Sequence, residues 1–421
     1  MLDIKIIRDD PFRVRKGLES RGMDPKLVDD FLAFDEKWRD LTKQSEDLRA
    51  EQRKAGDAKD IEKAKSLKDQ FQNLEAELSA TEKDREGLLI KFPNLPFEDV
   101  PVGKSEVENQ VLRQVGKPTE FDFEPTDYLT LAAQLDLIDV ERAGKVSGSR
   151  FGYLKNDAVV LEFALIDLAF KTLIKEGFTP IVPPVLVKPE IMKGMGKYKF
   201  VSEKDAYHLE EDDLYLVGSS EHSIGPYHSG ETILDNQLPK RYVGFSTCFR
   251  REAGSYGKDT RGILRVHQFD KVEMLSFVKP GDSEKEHQFL LSIQEKFMQA
   301  LELPYRVVAV CTGDSDATAA RQFDIETWLP SEKKYRETHS VSNTTDYQSR
   351  SLNIKYAYPV ADTDKGANMV KKYAEYVHML NGTAIAIPRA LIAIIETYQT
   401  KDRKIRVPKV LQNYVGKKEI G

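Results

Sequence analysis

Between Lys26 and Leu89, apolar residues recur at alternating spacings of three and four. The first run places Phe31, Phe34, Trp38, Leu41, Ser45, Leu48 and Gln52 in register. The second places Ala64, Leu67, Phe71, Leu74, Leu78, Thr81, Arg85 and Leu88. Such a/d seams predict two long helices. The turn-compatible AGDAKD between them (Ala55–Asp60) predicts an antiparallel hairpin, a coiled coil over about residues 26–91. Ser45 and Gln52 make the first seam polar toward the joint, so the arm should pack best near its base. The pattern then breaks at FPNLPFEDVPVG (Phe92–Gly103), whose prolines at 93, 96 and 101 read as an extended domain boundary.

Beyond that boundary, helix-period and strand-period segments mix. LEFALIDLAFKTLIKEG (Leu161–Gly177) predicts an amphipathic helix with a glycine past its end. FTPIVPPVLV follows as a strand whose prolines suit a sheet edge. RYVGFSTCFR (Arg241–Arg250) alternates, with Val243, Phe245, Thr247 and Phe249 on one face. Further strands are expected from Arg321 onward. NGTAIAI (Asn381–Ile387) predicts a strand, and PRALIAIIETYQ (Pro388–Gln399) a helix with proline in its first turn. The expected class is α+β: a largely antiparallel sheet flanked by helices, preceded by the helical arm. The expected domains are residues 1–103 and 104–421.

Composition narrows the chemistry. A chain of 421 residues exceeds one core, and 40% hydrophobic residues exclude wholesale disorder. The net charge of −6 argues against binding nucleic acid with the whole surface. The arm's tip departs from that balance. Arg49–Lys68 holds seven basic and four acidic residues, a local +3. That marks either a solvated helix surface or a phosphate-binding end at Arg49, Arg53, Lys54, Lys59 and Lys63. Two widely separated cysteines, Cys248 and Cys311, give no metal-type cluster, so neither structural zinc nor a disulfide framework is expected, and the reducing cytoplasm is the default compartment. The start of the chain lacks a leader-like apolar region, and the best apolar run, Ala384–Ile395, is interrupted by Pro388 and Arg389, so no membrane span is expected.

The chemistry concentrates in FRREAGSYGKDTRGILRVHQFDKVE (Phe249–Glu273). Alternation projects Arg250 and Glu252 together, opposite Phe249. On the far limb it aligns Arg265, His267, Phe269, Lys271 and Glu273. Folded as a hairpin, the two sets would meet over one side of the sheet. The loop would be Ala253–Leu264, with Gly254, Gly257 and Gly262 supplying freedom. Guanidinium forks suit phosphates, a ring suits a purine, and carboxylates suit amino or hydroxyl groups. No Walker A loop and no GxGxxG after a strand occurs, so any ATP would be held through arginines on an antiparallel sheet. A surface hairpin laced with ion pairs is the competing reading. Arg389 weighs against it, because an arginine between AIAIP and ALIAII needs an anion or solvent, and a triphosphate at a helix start would serve.

Several segments together resemble the seryl-tRNA synthetases, a family of class II aminoacyl-tRNA synthetases, over nearly the whole chain. GFTPIVPP (Gly177–Pro184) resembles class II motif 1, FRREAG with RGILRVHQFDKVE motif 2, and NGTAIAIPRALIAIIE motif 3. GSSE (Gly218–Glu221), ETHSVSNTTDYQ (Glu337–Gln348), VSGSRF (Val146–Phe151) and PNLPFEDVPVGKSEVEN are similar to further family segments. The resemblance implies the roles. Arg250 would bind the α-phosphate of ATP and the serine carboxylate. Glu252 would accept from the adenine amino group, and Phe269 would stack on adenine. Arg265 and Arg389 would hold the outer phosphates, and Glu337 and Ser340 would help bind Mg2+ and phosphate. Ser219, Glu221, Glu273 and Thr383 would line the serine site. Arg250, Glu252 and Arg389 would be catalytic.

The implied reaction makes seryl-adenylate from L-serine and ATP, then charges the 3′ end of serine tRNA, with selenocysteine tRNA left open as a second substrate. The hairpin arm would reach the long variable arm of that tRNA, and motif 1 would build a homodimer. Some residues depart from the family pattern: Ser219 for threonine, Val341 where cysteine is frequent, Met379, Ala384 and Pro388 for threonine and glycines, and a longer Lys355–Tyr376 connection. None of these removes a charged position. Glu337 and Ser340 lie three apart, so sharing a site requires a bulge or a strand end. The glycine-rich loop is expected to order when ATP and tRNA arrive. A catalytically silent RNA-binding paralogue would lack Arg250, Glu252 or Arg389, and a carrier-protein aminoacylating relative would lack the arm.

Overall fold

The computed structural model describes residues 1–253, 259, 261–361 and 369–421. Gly254 and Gly257, expected in the mobile loop, lie outside the described residues. The chain forms two compact units, Met1–Leu95 and Pro96–Gly421. Their division falls inside the proline-punctuated stretch.

In the first unit, helices α1 (Lys26–Asp57) and α2 (Ile61–Leu89) pack along the predicted seams. Every seam residue is buried or half-buried, while most residues between them face solvent. The joint is tight: Lys59 takes a left-handed φ of 56°, and the Asp60 carboxylate accepts the Lys63 N–H at 3.1 Å as an N-cap. The seam also holds a residue that the apolar pattern passes over. Asp35 is fully buried and accepts from Arg8 Nε at 2.7 Å and Arg85 Nε at 2.7 Å. The Arg85 guanidinium in turn lies 4.4 Å from the Trp38 ring centre.

The second unit is built on an eight-stranded sheet. In chain order its strands are β1 (Gln110–Val115), β2 (Thr179–Ile181), β3 (Lys240–Phe249), β4 (Gln268–Val278), β5 (Tyr305–Ala309), β6 (Arg321–Leu329), β7 (Lys334–Asn343) and β8 (His378–Ala386). Their spatial order is β1-β5-β6-β7-β8-β4-β3-β2. All neighbours are antiparallel except β2 and β3, and the proline-bearing β2 lies at the edge. Helices α3 (Asp157–Lys175), α4 (Ser283–Ala300) and α5 (Ile387–Thr397) contribute Leu165, Phe297 and Ile394 to the core that backs the sheet. Helix α3 ends as its glycine predicts. Gly177 takes φ 86° and donates to Ile174 O, and Phe178 N–H reaches back to Leu173 O.

The Lys355–Tyr376 connection forms a strand pair, Lys355–Ala361 against Met369–Tyr376. Its first strand also runs parallel to Thr232–Leu234. The middle of this connection, residues 362–368, lies outside the described residues. No helix among the described residues is long and apolar enough to cross a membrane.

Candidate active site

Two ladder irregularities on neighbouring strands shape the site. Between β4 and β8, Val272 faces Ile385 but Glu273 faces Thr383, so Ala384 is an extra residue on β8. Thr383 Oγ1 thereby reaches Glu273 Oε1 at 3.4 Å. Between β6 and β7, Ile325 faces His339 but Glu326 faces Glu337, so Thr338 is extra on β7. That bulge is the irregularity that Glu337 and Ser340 require, since it shifts the alternation between them.

The expected β3–β4 hairpin forms, with Phe249 opposite Gln268. Strand alternation holds for Phe269, Lys271 and Glu273. It does not hold for Glu252. Strand β3 ends at Phe249, Arg250 N–H donates to His267 O at 3.0 Å, and Glu252 takes a left-handed φ of 52°. Asp205 braces this turn: its carbonyl accepts the Arg251 N–H at 2.8 Å and its carboxylate the Ala253 N–H at 3.0 Å. Arg251, unassigned from sequence, stacks its guanidinium 4.4 Å from the Tyr207 ring centre. At the far end of the loop, Gly262 takes φ 75°, and the Tyr128 hydroxyl occupies the space a Cβ would need.

A cleft of about 360 Å³ opens over this face of the sheet. Seven predicted residues line it: Arg250, Glu252, Arg265, Phe269, Glu337, Thr383 and Arg389. Asp205 and Lys271 line it as well; Lys271 belongs to the alternation but has no role implied by the resemblance, and nothing in its local pattern marks Asp205. Ser219, Glu221, Glu273 and Ser340 are not among the lining residues. Two of them sit directly behind Thr383: Ser219 Oγ donates to Glu273 Oε1 at 3.2 Å, and Glu273 is also in contact with the Lys271 ammonium. Glu221 N–H donates to Ser219 Oγ at 3.2 Å. The five arm residues Arg49, Arg53, Lys54, Lys59 and Lys63 are all exposed near the hairpin tip, with Arg49 paired to Glu75 at 3.2 Å.

Each arginine of the cleft has an internal partner. Arg250 Nε donates to Gly218 O at 3.1 Å, and its guanidinium lies 5.4 Å from the Phe269 ring centre. Arg265 Nη1 meets Glu252 Oε2 at 2.6 Å. Arg389, two residues into α5, donates from Nη1 to Glu337 O at 2.8 Å and lies 3.2 Å from Glu337 Oε1. Desolvation pushes the Glu337 carboxyl up, but Arg389, then Arg250 and Lys271, outweigh it and hold it below its ordinary value. Burial pushes the nearby Asp324 carboxyl well up, and Glu337 adds to that shift. On two of the cleft arginines, Arg265 and Arg389, a phosphate can take the place of the carboxylate partner.

Residues 198–398 match the family model of the tRNA synthetase class II core domain (G, H, P, S and T). This antiparallel sheet, with arginines at the β3 end and the α5 start, is thus the core of a class II aminoacyl-tRNA synthetase. Residues 1–96 match the seryl-tRNA synthetase N-terminal domain. The serine–tRNA ligase of Acidothermus cellulolyticus is 46% identical, covering 99% of this chain and 98% of that protein. That of Dictyoglomus turgidum is 43% identical over 100% and 99%. Among solved structures, seryl-tRNA synthetase from Pyrococcus horikoshii complexed with ATP superposes with a TM-score of 0.91 at 39% identity, covering 100% of this chain and 99% of that one. The chain belongs to the seryl-tRNA synthetase family.

Proposed function

We propose that the cleft activates L-serine with ATP and passes the seryl group to the 3′ end of serine tRNA. The observation that carries this reading is the meeting, in one cleft, of three arginines, Phe269 and Thr383, with Glu273 and Ser219 hydrogen-bonded in turn behind Thr383. The first set suits a nucleoside triphosphate, the second a small hydroxylated amino acid. The serine carboxylate attacks the α-phosphorus, the bond to the β-phosphate oxygen breaks, and pyrophosphate leaves. No side-chain nucleophile is required.

Arg250 holds the α-phosphate and the serine carboxylate together, so positioning and charge stabilisation supply the catalysis. Arg265 and Arg389 take the outer phosphates, exchanging Glu252 and Glu337 for them. Glu252, released, accepts from the adenine amino group, and Phe269 offers its face to the base. Glu273 and Thr383 take the polar groups of serine, which discriminates against alanine because its methyl leaves them unpaired. The Glu337 carboxylate and the Ser340 hydroxyl fit a magnesium ion bound with the nucleotide, and such an ion would add positive charge beside the phosphates.

The arm is read as the tRNA-binding element, through Arg49, Arg53, Lys54, Lys59 and Lys63 at its tip. The active form is read as a cytoplasmic homodimer joined near β2, where Val182 is 81% exposed and Phe163 and Ile174 about half exposed. Sedimentation at micromolar concentration tests the dimer, and a monomer would remove it.

The direct test of the main reading is serine-dependent ATP–pyrophosphate exchange, with threonine, alanine and glycine as controls. Exchange is expected with serine and not with the others. No exchange with serine overturns the reading.

A further inference from the structure

Glu221 is buried, and what holds it lies outside the three class II motifs. Lys197 Nζ stands 3.5 Å from Glu221 Oε1 and 3.1 Å from Asp316 Oδ2. Gln348 Nε2 donates to the same Glu221 Oε1 at 3.1 Å and to Met195 O at 3.2 Å. The Lys197 side chain is only 12% exposed, an uncommon place for a lysine unless it is paired. Burial pushes its pKa down, but Asp316 and Glu221 more than reverse this, so the ammonium stays charged.

Two features of this cluster bear on the substrate. Both donors converge on Oε1, so Oε2 is the oxygen they leave to a ligand. Asp316 balances Lys197, so the group of three carries a net single negative charge. Glu221 keeps the attraction of a lone carboxylate but loses its freedom to rotate. Glu273 is treated in the same way by Lys271. The two carboxylates are linked through Ser219, whose Oγ donates to Glu273 and accepts from the Glu221 N–H.

We infer that Lys197 and Gln348 are positioning residues for serine: they fix Glu221 so that Oε2 faces the ammonium of the bound amino acid. The inference rests on the reading of Ser219, Glu221, Glu273 and Thr383 as the serine site. A charge-assisted contact of this kind governs binding by about tenfold or more.

The test uses the full chain in ATP–pyrophosphate exchange, with KM measured separately for serine and for ATP. K197M is expected to raise the serine KM about tenfold or more, with the ATP KM and kcat within about twofold. Q348L, which removes no charged group, should raise the serine KM about three- to tenfold, and K197R should recover part of the K197M loss. If K197M fails to fold, Q348L alone decides. The inference is overturned if serine KM moves less than twofold in the folded variants, or if ATP KM rises equally. E221Q separates this inference from the reading beneath it. A normal serine KM in E221Q removes the serine-site reading itself. A raised one, with K197M and Q348L unaffected, removes only this inference.

Discussion

The arm and the cleft both set arginines against carboxylates, to opposite ends. In the arm, Asp35 is sealed from solvent and saturated by Arg8 and Arg85. In the cleft, Arg265 and Arg389 are 31% and 27% exposed, and each faces a single carboxylate. Arg8 is itself 32% exposed, but an anion taken up there would leave the Asp35 carboxylate buried with one arginine fewer, so this first arrangement serves to hold the helices together. The second leaves open faces on which a phosphate can replace the carboxylate. Burial of the carboxylate, complete at Asp35 but not at Glu252 or Glu337, separates a structural contact from a binding contact here.

The strongest way to break this contrast is R250A. Removing a guanidinium from the centre of charge development should lower kcat/KM for exchange by about 10³-fold or more, roughly 4 kcal/mol, while leaving the thermal midpoint nearly unchanged. A comparable fall in stability would make Arg250 structural.

D35A tests the other side. It strands Arg8 and Arg85, and should cost the first unit about 3–5 kcal/mol while sparing serine-dependent exchange. Circular dichroism and exchange on the same sample check both. Acid gives a second handle on the same contact. Burial pushes the Asp35 carboxyl up, but Arg8 and Arg85 outweigh it and leave it below its ordinary value. Its stabilisation is thus fully present above the unfolded aspartate value of about 4 and is lost as pH falls through the lower folded value. D35A should remove that part of the acid sensitivity.

E252Q sharpens the comparison within the cleft. It is expected to raise the ATP KM about 10- to 100-fold with little change in serine KM, because adenine recognition and the Arg265 contact share one carboxylate. The smallest effect belongs to the arm's tip. Replacing Arg53, Lys54, Lys59 and Lys63 by alanine should raise tRNA KM and make its dependence on salt shallower, by a slope of about one for each phosphate no longer neutralised, with exchange untouched. Equal loss of exchange would end the proposed division of labour between the units.

The arm was legible because a 3/4 spacing and a glycine-bearing joint leave little choice. Its one surprise, Asp35, sits four after Phe31 and three before Trp38. It therefore obeys the seam spacing, but its charge hides it from a reading that follows apolar residues. In the cleft, alternation locates Phe269, Lys271 and Glu273 correctly. Glu252 also reaches the cleft beside Arg250 as expected, but through its own left-handed backbone beyond the strand end and not through the pleat. Spacing alone demands an irregularity between Glu337 and Ser340, but nothing local identifies Thr338 as the extra residue. Asp205, Lys197 and Gln348 act through contacts remote in sequence, so no periodicity could reveal them. The Lys355–Tyr376 connection could be measured in length, but its pairing to Thr232–Leu234 depends on a strand more than a hundred residues earlier.

The extra residue at Ala384 has a consequence for how this segment can vary. Thr383 lies before it, and Pro388 and Arg389 follow on the same short stretch of chain. Deleting one residue there would reverse the phase between the floor of the cleft and the start of α5. The serine contact and a phosphate clamp would then be thrown onto opposite faces together. The stretch from Thr383 to Arg389 therefore behaves as a ruler of fixed length, intolerant of any change in the number of its marks.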